Sequence, residues 1–522
     1  MTESESAGAA PQANVARSAG IIALGNVTSR LLGLVRDQIT AGLFGRTGAT
    51  DAFFVASNIS QVFYDLIIQG AVSSALVPVF STYAGEQQRA RFWRLASLVL
   101  NLVVAVLSLV VLVLVIAAPL VVRIAGPGFT VEQQQLTTVL TRVTLTSVVF
   151  LGSGAVLTAL LYALQDFAFP AFCSALFNGC IIVVALLFHG QLGVGSLALG
   201  MLVGAVAQVL FQLPPLIRRK MTFALGIDLR DPDLRRILLL YAPVAAGLVV
   251  SGALVFIDRN LASRTGAGSI SAMQFATRII QFPLGIIPTA ISFASLPVLA
   301  RRAGDLPSFR QTLGTGLRLI IFLVVPAAVG LAVLARPLVA AIFQHGAFTA
   351  SDTQQTSLAL LLYLPGLPAA AIDQMLIFAF YARKNTVTPV LVGLAATGVY
   401  LVVALSLVEP FGMSGLVLAN SAQWIAHATI LFVLLSRSLH GLHGLSIRRT
   451  VWRTLAAAAG MAVVMIIVVA LMELRLPAKG FVANVAILTV GGLCGLVVFF
   501  GLAALLRMEE VRLLLGPLRR KK

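Results

Sequence analysis

Charge is scarce in this chain, and acid is scarcer. Only 11% of its 522 residues are Asp, Glu, Lys or Arg, and 19 acidic residues stand against 37 basic ones, a formal net charge of +18. A soluble globular domain carries about 25% charged residues, so an ordinary water-facing surface is excluded. The five histidines, His189, His345, His427, His440 and His443, show no metal-ligand spacing beyond the loop pair His440 and His443, which removes a metal site built on clustered imidazoles. No HExxH, Walker loop or GxSxG sequence occurs, so the enzymatic chemistries that need those spacings lack a footing. Cysteine is limited to Cys173, Cys180 and Cys494, all within apolar runs and without a CxxC pair. No disulfide framework is available, and they read as small buried hydrophobes. The basic excess lies in short loops rather than on a polar face interleaved with aromatics, which excludes nucleic acid as a partner.

What is present is hydrocarbon: 59% of residues are hydrophobic and the mean hydropathy is +0.98. Runs such as LASLVLNLVVAVLSLVVLVLVIAAPLVV (95–122) exceed the roughly 20 apolar residues that cross a bilayer as a helix. Lipid offers no partner to an unpaired backbone group, so the expected fold is an all-α polytopic membrane protein. Hydropathy predicts about fourteen spans, near 17–43, 51–82, 93–122, 134–163, 168–189, 192–216, 236–263, 269–300, 312–343, 353–382, 386–407, 412–436, 451–473 and 480–506. Residues 1–16 lack the charged start and apolar core of a cleaved signal peptide and read as a loose, disordered tail.

Basic loops alternate along the chain. Arg89, Arg91 and Arg94 form one, Arg218 to Lys220 with Arg230, Arg235 and Arg236 the next, then Arg301, Arg302 and Arg310, then Arg383 and Lys384, then Arg437, Arg448, Arg449 and Arg453, and finally the terminal RRKK. Intervening loops hold little beyond Arg46, Arg123, Arg264, Arg475 and Lys479. The positive-inside rule then puts both termini in the cytoplasm, which requires an even number of spans. It also places Trp93 and Trp452 at cytoplasmic helix ends, where amphipathic rings anchor. The pairs Gly200 with Gly204 and Gly491 with Gly495 have the GxxxG spacing of close helix packing.

An internal duplication is written into the sequence. GAVSSALVPVF (70–80) aligns with TAISFASLPVL (289–299), LYALQDFAFP (161–170) with FYARKNTVTP (380–389), and PLVVRIAGPGFT (119–130) with PLVAAIFQHGAFT (337–349), all at a spacing of 218 to 219 residues. Six spans separate the copies, so the repeat is parallel, and parallel repeats in transporters place the substrate path at the interface of the halves. The expected organisation is the tail 1–16, an N-lobe at 17–220, a C-lobe at 221–440, a C-terminal helix pair at 441–510 outside the duplication, and a basic tail at 511–522.

Several ionisable residues lie inside spans, where each costs a few kcal/mol and usually faces a cavity or another helix. The first span holds Arg30, Arg36 and Asp37. Arg30 and Asp37 project within about 20° of each other and Arg36 about 120° from Arg30, a broad polar face. Gly33 between them permits a bend or a close helix approach. Arg36 and Asp37 either face the cavity or snorkel to its rim. In the second copy Asp258 and Arg259 occupy the corresponding place, and Arg278 is the other deep cation. Adjacent helix residues point apart, so a direct Asp258 to Arg259 pairing is not expected. Arg30, Arg36, Arg259 and Arg278 together suit an anion that accepts forked hydrogen bonds, such as a phosphate or pyrophosphate.

At this point the chain resembles the MurJ (MviN) lipid II flippase family of the multidrug/oligosaccharidyl-lipid/polysaccharide exporter superfamily. The matching stretches are SRLLGLVRD, FGRTGATDAFFVASNI, GAVSSALVPVF, GPGF, FATRIIQFPLG, FQHGAFTASD and YARKNTVTPV, in order. The resemblance implies fourteen helices, two six-helix lobes around a cationic cavity, and a last pair forming a groove for a lipid tail. It implies a transporter rather than an enzyme, in the bacterial cytoplasmic membrane, moving lipid II, a polyprenyl-pyrophosphate glycolipid, from the inner to the outer leaflet by alternating access. Family functional positions carry over to Arg30, Arg36, Asp51 and Arg278, with Asp37, Asp51, Asp258, Tyr64, Gln69 and Gln281 as polar or gating positions.

Two departures stand out. Tyr64 and Gln69 occupy places where many members have an arginine and a glutamate, and Gln281 stands where a glutamate often follows the matched arginine; Arg259 could compensate for the missing cation. Some members hold sodium through an acid in the eleventh span, whereas 386–407 contains no Asp or Glu. No cofactor or metal is expected; the energy source is membrane potential or an ion not identified by sequence. Expected partners are lipid II, membrane lipids and cell-wall synthesis or division proteins, with the chain itself a monomer. Competing readings are a flippase for another polyprenyl-pyrophosphate glycan, a cation-coupled drug exporter, a transport-inactive scaffold for cell-wall proteins, and a membrane glycosyltransferase using Asp51, Glu132 or Asp352 as base.

Overall fold

The computed structural model describes residues 4–65, 75–442, 444–475 and 480–519. Among them there is no strand, and helices succeed one another with short connections. They are α1 (Ser4–Phe44), α2 (Gly48–Tyr64), α3 (Val77–Thr82), α4 (Arg89–Ala125), α5 (Val131–Ala163), α6 (Ala168–Leu192), α7 (Gly195–Arg218), α8 (Pro232–Ser263), α9 (Ser269–Arg301), α10 (Leu306–Val333), α11 (Ala335–Phe343), α12 (Ala350–Tyr363), α13 (Leu367–Ala382), α14 (Val387–Phe411), α15 (Met413–Ser438), α16 (Ile447–Arg475), α17 (Phe481–Leu505) and α18 (Glu509–Arg519).

Among the described residues, helix stands within each of the fourteen predicted spans, and breaks fall in the spans at 312–343 and 353–382. Leu334 separates α10 from α11 because Pro337 has no N–H to continue the ladder, and Leu364–Gly366 separates α12 from α13 where Pro365 and Pro368 fall close together. Eleven described helices are long and apolar enough to cross a membrane. The protein is a multi-pass all-α membrane protein.

Two segments differ from expectation at the termini. α1 begins at Ser4, taking in most of the stretch expected as a loose tail; its Ala-rich composition has high helix propensity. Within the expected basic tail, α18 is an amphipathic helix held by Arg318, whose Nε donates to Glu510 at 2.6 Å and Nη2 to Glu509 at 2.7 Å. A hydrophilic composition concealed one apolar face, lined by Val511 and Leu514 against Met461, Met508 and Phe499.

The chain forms two compact units, Met1–Ser271 and Ala272–Lys522. In the first, α1 packs along α6, α6 on α7, α7 on α5, and α5 on α2 and α4; α8 lies against α4 and α2. Its core gathers Phe80, Phe92, Trp93, Leu160 and Leu216. Trp93 is 2% exposed and packs edge-on to Phe92, so it is a core residue and not an interfacial anchor; Trp452 is 65% exposed. In the second unit α14 packs on α15, α15 on α13, α13 on α10, α10 on α16, and α16 on α17. Both GxxxG pairs pack as expected. A Cβ on Gly200 would meet Ile181 and one on Gly204 would meet Phe177, closing α7 on α6, while one on Gly495 would meet Met465 of α16.

The duplication recurs in local geometry. Thr130 and Thr349 each close a capping box, with Gln133 and Asp352. Gln165 and Lys384 share φ of 57° and 59°, and Gly193 and Gly412 share φ of 52° and 54°. Each pair is 219 positions apart, the spacing of the sequence repeat.

Candidate functional site

α1 carries three of the anticipated charges, and the structure gives them different surroundings. Asp37 is 2% exposed. Arg36 folds back on it, with Nε and Nη2 donating to Asp37 Oδ1 at 3.1 and 2.7 Å, and Nη1 donating to Asn178 Oδ1 of α6 at 3.0 Å. Sequence reasoning missed Asn178, one polar residue in an apolar run. The close approach of the two helices falls not at Gly33 but at Gly25, where a Cβ would lie 2.3 Å from the Ala171 carbonyl oxygen.

Arg30 is different: it is exposed, and among the described residues it makes no hydrogen bond or ion pair. A guanidinium in a membrane-spanning helix without a protein partner has all its donors available to an anion or to water.

On α8 of the same unit, Arg259 Nη1 lies 3.9 Å from Asp258 Oδ2, which corrects the expectation that neighbours on a helix cannot pair. The arginine stem is long enough to bring its head back across one residue. Arg259 Nε is buried with no hydrogen-bond acceptor among the described residues. Tyr64 is half-buried near the end of α2. The next residue, Asp65, accepts from Gln61 Nε2 at 2.8 Å; it too was passed over, although a lone acid in an apolar run is the same signal that marked Asp37. Gln69 lies outside the described residues. In the second unit Arg278 is partly buried on α9 and its Nη1 donates to the exposed Gln281 at 3.5 Å.

Asp51 is a structural anchor. It is 1% exposed, and its carboxylate accepts from the Gly268 and Ser271 backbone N–H groups and the Ser271 hydroxyl. It thereby caps the N-terminus of α9, where four N–H groups lack intrahelical partners and negative charge is favoured. Neighbouring contacts close the same end of the unit: Gly128 N donates to Ser263 Oγ at 3.1 Å and Asn260 Nδ2 to the Ile124 carbonyl at 2.6 Å. A Cβ on Gly128 would sit 2.4 Å from the Ser263 carbonyl oxygen, so only glycine fits. Burial also removes Asp51 as an exposed base. Asp352, 9% exposed, is spent in its own capping box. No group of three or more His, Cys, Asp or Glu able to hold a metal occurs among the described residues.

The lipid II flippase MurJ family model matches residues 40–490. The chain is 32% identical to the probable lipid II flippase MurJ of Vibrio cholerae, over 84% of this chain and 85% of that one. It is 30% identical to the probable lipid II flippase MurJ of Bdellovibrio bacteriovorus, over 95% and 96%. The fold is similar to a solved structure of lipid II flippase MurJ in an inward closed conformation, with a TM-score of 0.75 over 93% of this chain and 98% of that chain at 24% identity. Together with the stretches that carry Arg30, Asp51 and Arg278, these matches show that the chain belongs to the lipid II flippase MurJ family, whose members are transporters and not enzymes.

Proposed function

We propose that this protein moves lipid II from the inner to the outer leaflet of a bacterial cytoplasmic membrane by alternating access, with both termini in the cytoplasm. Arg30 carries the reading: its guanidinium stands unpaired on a membrane-spanning helix, a few kcal/mol uphill unless an anion rewards it. Arg36 contributes a second cation on the same helix, although Asp37 and Asn178 already engage three of its donor groups. Arg259 is a third cation of the first unit for the pyrophosphate, and Arg278 is the deep cation of the second unit. α16 and α17 hold the polyprenyl tail. Each net positive charge that crosses the field contributes about 2.3 kcal/mol per 100 mV, so membrane potential can return the empty carrier.

A transport-inactive scaffold would have no use for an unpaired arginine in the bilayer, and a drug exporter for cations would place carboxylates there. Replacement of the native flippase in depleted cells tests the proposal. The wild-type chain restores lipid II in the outer leaflet and Arg30→Ala does not; absence of lipid II there with the wild-type chain refutes the assignment.

A further inference from the structure

Asp373 and His427 form a buried titratable pair inside the second unit that the substrate reading leaves unused. Asp373 on α13 and His427 on α15 meet with Oδ1 and Nδ1 2.7 Å apart, and the other ring nitrogen, Nε2, lies 3.4 Å from the Pro389 carbonyl oxygen of α14. Both side chains are mostly buried, 19% and 16% exposed. At about 1.5 Å per residue they sit roughly 14 and 16 Å from the helix ends at Ala382 and Ser438, well inside the spans.

The donor and acceptor inventory of this site is informative. Pro389 O can only accept, and an ionised carboxylate can only accept, so both ring nitrogens face acceptors. A neutral imidazole carries one N–H and would turn a lone pair toward one of the two. The imidazolium satisfies both and leaves the pair with no net charge. Loss of one proton leaves a net charge of −1 among apolar helices, a state that favours hydration and separation of α13 and α15.

Other ionisable groups on the elements packed here do not share the site. They are Arg310 and Arg318 on α10, Asp352 and Tyr363 on α12, Tyr381 on α13, Tyr400 and Glu409 on α14, and Arg437 on α15. Arg318 is held by Glu509 and Glu510, and Asp352 by Thr349. Among the described residues neither Asp373 nor His427 is hydrogen-bonded or ion-paired to any of them.

We propose that the juxtaposition of Asp373, His427 and the Pro389 carbonyl is a proton-binding site that couples transport to a proton gradient. One proton from water binds the imidazole in one conformation of the unit and leaves in the other. Protons run inward as the glycolipid runs outward, an antiport that rests on the flippase reading.

The test uses the full chain in vesicles containing lipid II, with membrane potential clamped and the pH gradient varied. An outside-acidic gradient accelerates outward flipping by the wild-type chain, by up to about tenfold per pH unit for one proton per cycle. His427→Gln and Asp373→Asn flip at rates that ignore the gradient. A wild type that flips lipid II without responding, or variants that respond as the wild type does, overturns the coupling.

Histidine NMR on the same chain keeps the two readings apart. If no variant and no wild type flips lipid II, the substrate assignment fails while the proton site stands on its titration. A His427 imidazole that titrates in wild type and shifts to lower pH in Asp373→Asn supports the site. One that does not titrate, or is unmoved by Asp373→Asn, overturns it.

Discussion

At the scale of single residues, the decisive contrast is between Arg30 and Arg36, six residues apart on one helix. Arg36 is tied into the structure, and Arg36→Ala would remove its hydrogen bonds to the buried Asp37 carboxylate and to Asn178, a loss of about 1–3 kcal/mol. Arg30→Ala breaks no described contact. Thermal melting should therefore separate them: Arg36→Ala lowers both the melting temperature and transport, whereas Arg30→Ala abolishes transport at an unchanged melting temperature. Equal thermal losses would make Arg30 a structural residue.

Asp51→Asn keeps the size of its side chain but loses a charged cap on α9, at about 1–3 kcal/mol; amide exchange at Gly268 and Ser271 should rise. These residues were legible in sequence as charges out of place, but their roles were not. Hydropathy marks a buried charge without saying what lies across from it. Asn178, on another helix 142 positions away, had no signal beyond one polar side chain in an apolar run.

At the scale of elements, the repeat supplies matched tests. Gly193 and Gly412 join α6 to α7 and α14 to α15 with positive φ and strongly negative ψ, a region costly to residues with a Cβ. Gly193→Ala and Gly412→Ala should each cost about 1–3 kcal/mol by chemical denaturation, whereas Gly190→Ala, on a helix with open space around it, should not.

The start of α8 gives a pH test outside the membrane. Asp231 caps that helix and accepts from Arg91 Nη1 at 2.6 Å and Nη2 at 2.8 Å; Arg91 also pairs with Asp233. Arg91 holds the Asp231 carboxyl below the usual carboxylate range. The folded state thus binds this proton more weakly than the unfolded chain, and the stabilisation is complete above about pH 4 and fades as pH falls through the lowered value. Exchange protection at the start of α8 should collapse on acidification in the wild type, while Asp231→Asn should be weak at every pH. Element positions were readable because lipid enforces length and hydrophobicity together. The breaks at Leu334 and Leu364–Gly366 were masked by continuous apolar runs, and α18 by the charges on its outer face.

At the scale of the whole molecule, the family match shows a transporter, and the caps and turns that recur 219 positions apart carry the sequence repeat into local geometry. Periodicity could reveal that two copies exist, because alignment at 219 residues needs no structure. It could not reveal that α8, the first helix of the second copy, packs on α4 and α2 of the first unit, since neighbours in space are set by which faces fit.

The central claim is that an unpaired arginine on α1 serves an anionic lipid in transit. Its most direct measurement is transbilayer movement of lipid II in vesicles holding the purified chain or its Arg30→Ala variant, at equal, verified protein content. The account predicts rapid appearance of lipid II in the opposite leaflet with the wild type and a background rate with Arg30→Ala. Equal rates for the two proteins would contradict it.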